Sequence, residues 1–117
     1  MANYDSAFKT IDDLVNSPWN FSDHPHSNPT DKQVIFAKSA LSSFQLAGFS
    51  EPHIMLLDDG NYGAYWRPEN GNYISVDFDV EEESVMWVVV EDNKIKSGEF
   101  LITEEIPLGL RKAMAIL

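Results

Sequence analysis

The chain has 117 residues, 44% of them hydrophobic, and sets 19 acidic against 8 basic side chains for a formal charge of -11. That length and apolar content suit one domain, residues 1–117, with a single core, and the charge disfavours direct nucleic acid or anionic membrane as partners while favouring basic proteins. The absence of cysteine excludes disulfides, thiolate zinc sites and cysteine nucleophiles.

The elements follow in chain order. Phe8, Ile11, Leu14 and Val15 recur at helical spacing, so residues 6–15 are expected as a short amphipathic helix capped by Asp5 or Ser6 and stopped at Asn16-Ser17-Pro18. Trp19 and Phe21 then flank a polar loop, residues 22–29, whose Pro25 and Pro29 preclude regular helix. Thr30 and Gln33 have capping-box spacing, and Ala37, Ala40, Leu41, Phe44 and Ala47 continue at steps of three and four up to a closing Gly48.

Strands follow. Residues 52–57 are short and apolar, Asp58-Asp59-Gly60-Asn61 supplies a turn, and residues 62–67 run back. The run 73–80 alternates so regularly that Ile74, Val76, Phe78 and Val80 share a core face, with Tyr73, Ser75, Asp77 and Asp79 on the other. If Asn70-Gly71 are the central residues of a type I′ turn, Trp66 opposes Ser75 and Tyr62 opposes Asp79. Trp66 and Tyr62 then lie on the polar face and Tyr65 in the core, and a slip of one residue reverses every assignment. Residues 85–90 are apolar on both faces; residues 91–94 turn, residues 99–102 form an edge strand, and Pro107 opens a helix over 107–117. The expected architecture is α+β: two N-terminal helices packed on an antiparallel meander of four or five strands, with a short C-terminal helix.

Few residues point to chemistry. Asp77 and Asp79 are about 7 Å apart on one strand face and would hold a hard cation only if Asp58, Asp59 or Glu91 joined them. His24 and His26 lack a third ligand, His53 has no nucleophile to serve, and Gly60 and Gly63 are hairpin glycines rather than a phosphate loop. No catalytic residue, metal or cofactor is assigned. The surface that stands out carries Tyr73, Asp77 and Asp79, with Tyr62 and Trp66 beside them and Glu81, Glu82, Glu83, Glu91 and Asp92 in the turns. Aromatic rings among carboxylates suit an interface with a basic partner.

From about position 11 to position 90 the order of features resembles an uncharacterised group of small bacterial proteins. The counterparts are Trp19-Asn20, Pro25 and Pro29, Pro52-His53-Ile54, Asp59-Gly60, Trp66 and the strand from Ile74 to Phe78, with departures at Asn20-Phe21 and at Asn61. The genes of that group sit near mobile-element and toxin–antitoxin-like neighbours, so the resemblance implies an interaction role and supplies no catalytic residues.

The resulting expectation is a non-enzymatic, cytoplasmic protein that inhibits a basic, nucleic-acid-handling partner such as a nuclease toxin or a defence complex, its carboxylates standing in for phosphates. The start of the chain lacks a secretory pattern and no apolar run nears the roughly 18 residues of a membrane span. Two other classes stay open: a metal-dependent hydrolase using Asp77, Asp79 and a histidine, and a dimeric scaffold joined through residues 85–90.

Overall fold

The computed structural model describes residues 3–16, 29–67 and 71–115. Among them the elements run α1 (Asp5–Asn16), α2 (Asp31–Leu46), β1 (His53–Leu56), β2 (Tyr62–Trp66), β3 (Tyr73–Asp79), β4 (Ser84–Glu91), β5 (Lys94–Leu101) and α3 (Leu108–Ala115). The strands form one antiparallel meander in the order β1-β2-β3-β4-β5, with α1 and α2 packed on it. The α+β architecture is as expected, and β5 is longer than its expected 99–102. Asp92 and Asn93 both take positive φ, giving a tight reversal that lets pairing resume at once from Lys94. The aromatic and histidine loop expected around Trp19, Phe21, His24 and His26 falls outside the described residues.

The core lies between the helices and one face of the sheet. In α2 the stripe Ala37, Ala40, Leu41 and Phe44 is buried, while Ala47, at the C-cap, is exposed. The small alanines let the helix lie close to the sheet, and Phe44 provides the large anchor: its ring meets Phe49, Trp66 and Phe78 at centroid distances of 5.6, 5.9 and 6.2 Å. The capping box forms as the sequence indicates, with Thr30 Oγ1 accepting from the Gln33 N–H and Gln33 Oε1 accepting from the Thr30 N–H.

Long-range hydrogen bonds hold α1. The Tyr4 hydroxyl donates to the carbonyls of Phe49 and Ser50 at 3.0 and 2.9 Å, Tyr62 donates to the Ile11 carbonyl at 2.7 Å, and Glu51 Oε2 accepts from the Ala7 N–H at 2.9 Å in the first turn of α1. At the far side, Trp87 settles α3. A Cβ at Gly98 would stand 2.9 Å from its indole and one at Gly109 would stand 3.2 Å from it, so these two glycines make the space that the ring fills.

The β2–β3 register departs from expectation by one residue. Ala64 opposes Val76 and Trp66 opposes Ile74, so Tyr62, Ala64 and Trp66 join Ile74, Val76 and Phe78 on the core face. The loop closing the Trp66–Ile74 pair therefore contains an odd number of residues, which a two-residue turn at Asn70-Gly71 cannot supply. Burial decides the matter. The shifted register would expose the indole of Trp66 and the ring of Tyr62, about 1.5–3 kcal/mol for each large apolar side chain, against a turn preference worth less.

Candidate functional site

The residues expected to form one partner surface lie in three places. Tyr62 and Trp66 are buried, at 1% and 3% exposure, and belong to the core. The register corrects their expected place on the polar face: Tyr65, rather than Trp66, is the β2 aromatic that shares a face with Tyr73.

Tyr73, Glu91 and Asp92 lie at one end of the sheet, where β3 begins and β4 meets β5. There the Asp92 N–H donates to Asn72 Oδ1 at 3.3 Å, and His53, Tyr65 and Tyr73 stack across β1, β2 and β3 with centroid spacings of 5.1 and 6.3 Å. The Arg67 guanidinium lies 6.0 Å from the Tyr65 ring and 5.5 Å from the Tyr73 ring, so the aromatic faces at this end are occupied by one another and by a cation. Lys94 and Lys96 add positive charge beside Glu91 and Asp92, and this end is electrostatically mixed.

Asp79, Glu81, Glu82 and Glu83 gather at the opposite end, about 20 Å from Tyr73 along a seven-residue strand, with Asp77 two residues inside that end. The β3–β4 turn is built to hold them. Asp79 Oδ1 accepts from the N–H groups of Glu81 and Glu82 at 3.1 and 3.3 Å, Glu83 takes φ 52°, and the Glu83 carbonyl accepts from the Ile102 N–H at 2.8 Å. The side chains of Glu81, Glu82 and Glu83 are exposed around this fixed backbone.

The β1–β2 turn brings further carboxylates to the same end. Asp59 accepts from the Asn61 N–H and the Asn61 side-chain amide, both at 2.9 Å; Asn61 Oδ1 in turn accepts from Gln33 Nε2 at 3.2 Å. Gln33 also donates to the Asp59 carbonyl at 3.2 Å, so one buried glutamine ties the N-terminus of α2 to the turn and fixes Asp59. Asp77 lies over Gly63, its Oδ1 3.2 Å from where a Cβ there would stand. Burial, and secondarily the charge of Asp59, raises the Asp77 carboxyl above its ordinary value. Glu99 completes the row Asp77–Met86–Glu99 across β3, β4 and β5.

The strand expected to be apolar on both faces divides cleanly. Val85, Trp87 and Val89 are buried in the core, whereas Met86, Val88 and Val90 point the other way in rows shared with Asp77 and Glu99, Ser75 and Ser97, and Tyr73 and Ile95. Among the described residues, no three histidine, aspartate or glutamate side chains are grouped so as to hold a metal ion, and Glu91 lies at the wrong end of the sheet to join Asp77 and Asp79. No helix of the described residues is long and apolar enough to cross a membrane.

Sequence reasoning missed Gln33 and Asn61 as organisers of Asp59, and missed Ile35 and Phe36, which line a groove beside the acidic turn; Val80, expected on the core face, lies past the end of β3, half-buried in the turn, and lines the same groove. The exposed Ile35, set off the buried stripe of α2, was the available signal. No protein-family model, curated protein or solved structure matches the chain.

Proposed function

We propose that this chain is a non-enzymatic binding protein that engages a basic, nucleic-acid-handling protein through its acidic end and blocks it, with carboxylates taking the positions of phosphates. The observation that carries this reading is the segregation of charge: Asp59, Asp77, Asp79, Glu81, Glu82 and Glu83 share one end of the sheet on backbone held by side-chain and main-chain hydrogen bonds. Burial, and after it the charge of Asp59, disfavours the ionised form of Asp77, and a lysine or arginine arriving there offsets that cost by favouring the carboxylate. The resemblance to small proteins encoded beside toxin–antitoxin-like genes agrees with an inhibitory role.

Affinity capture from host lysate at low salt, followed by a salt gradient, tests the reading. A basic nucleic-acid-handling protein should be retained, released by salt, and lost with the double variant Glu81→Lys, Glu82→Lys. The charge-matched double variant Asp5→Lys, Asp13→Lys on α1 should retain it. Equal capture by both variants, or capture indifferent to salt, defeats the proposal.

A further inference from the structure

Beside the acidic turn the surface is concave. A groove of about 530 Å³ runs between α2 and the β3–β4 turn, lined by Lys32, Ile35, Phe36 and Ser39 on the helix and by Val80, Glu81 and Glu83 on the turn. Ile35 is 67% exposed and lies off the buried stripe of α2, so its side chain is free to meet a partner beside Phe36 and Val80. Ser39 stands one turn further along α2 and is short, which keeps the helix wall low. The lining is therefore apolar at Ile35, Phe36 and Val80, with two carboxylates on the turn side and the cation of Lys32 on the helix side.

We propose that this groove takes one bulky apolar side chain from a basic segment of the partner protein, with lysine or arginine residues on one side of that anchor meeting Glu81 and Glu83. The inference rests on the reading of the acidic end as a basic-protein site and adds the partner's second chemical requirement. Charge complementarity fixes the direction. Cations belong on the glutamate rim, and Lys32 disfavours them on the helix rim, so the segment is basic on one side of its anchor only. The volume lies within the roughly 300–1,000 Å³ typical of sites that enclose a small ligand, enough for one large side chain.

Two synthetic peptides of equal charge, Lys-Lys-Gly-Leu-Gly-Ser and Lys-Lys-Gly-Ser-Gly-Ser, distinguish this from charge attraction alone. In NMR titrations at low salt, the leucine peptide should bind about tenfold more tightly and shift the amide signals of Ile35, Phe36 and Val80. Ile35→Ser, at an exposed position that leaves the core and the net charge intact, should remove the leucine preference while the serine peptide binds as before. Equal binding of the two peptides, or a leucine preference that survives Ile35→Ser, overturns the groove and leaves the charge reading standing. Failure of both peptides to bind at low salt overturns both.

Discussion

Replacing Trp66 and Tyr65 by alanine, one at a time, tests the register on which the assignment of the two sheet faces depends. Trp66 is 3% exposed, packs edge-on against Phe44 at 5.9 Å and donates from Nε1 to the Ser50 carbonyl at 2.7 Å. Truncation opens a cavity in the aromatic core and should cost about 3–5 kcal/mol. The Ser50 carbonyl still accepts from Tyr4, so no buried acceptor is stranded and the loss is one of packing. Tyr65 is half-buried on the opposite face, and its removal forfeits stacking with His53 and Tyr73, about 1–2 kcal/mol. At this chain length each kcal/mol moves Tm by about 4 °C, so the two variants should melt about 10 °C apart, with Trp66→Ala the lower. Melting followed by far-UV circular dichroism measures this without relying on tryptophan emission. Equal losses, or a larger loss for Tyr65→Ala, would show that the strands pair about the Asn70-Gly71 turn instead.

Gln33→Ala should cost about 1–3 kcal/mol in urea unfolding, because it strands the Thr30 N–H and removes both donors to the β1–β2 turn, and it should speed amide exchange at Asn61 and Gly60; unchanged exchange there would refute the network. At high pH the buried phenols govern stability. Burial, and secondarily Asp12, pushes the Tyr62 hydroxyl up to about 12, and burial followed by Glu51 raises Tyr4 as well. A raised folded pKa contributes stability that is complete below the unfolded value near 10 and is lost as pH rises through 10 toward 12. Absorbance at 295 nm and circular dichroism, recorded together on the wild type and on Tyr4→Phe and Tyr62→Phe, should show these two phenolates appearing only as the fold is lost; their appearance in a chain with native dichroism below pH 10 would refute the assignment.

Much of the fold was legible because its signals are local. The capping box at Thr30 and Gln33, the α2 stripe as far as Phe44 and the alternation of residues 73–80 as far as Asp79 each report a period or a short-range bond, and reappear in the structure, whereas Ala47 and Val80, at the ends of their patterns, fall outside the core. The β2–β3 register was not legible because it pits a turn preference against burial. Sequence displays the Asn-Gly pair openly, but not the Phe44 ring that waits for Trp66. The same limit divided the candidate site. Tyr73, Glu91 and Asp92 share composition with Asp79 and the glutamates of residues 81–83, yet strand direction sends the two groups to opposite ends of the sheet, a separation visible only once the pairing is known. Gln33 shows the converse: its capping role was readable three residues away, and its bonds to Asp59 and Asn61 were not.

The hydrogen bonds that close the β3–β4 turn have a consequence for how the acidic end chooses partners. A loose acidic tail must surrender backbone freedom on each encounter, about 1–2 kcal/mol per residue fixed, and adapts to almost any cation. Residues 80–83 have surrendered that freedom already, to Asp79 on one side and to Ile102 on the other. The Cα positions from which their carboxylates extend are set before anything binds, so a partner whose cations match that spacing has less freedom to take away than one that meets a loose tail.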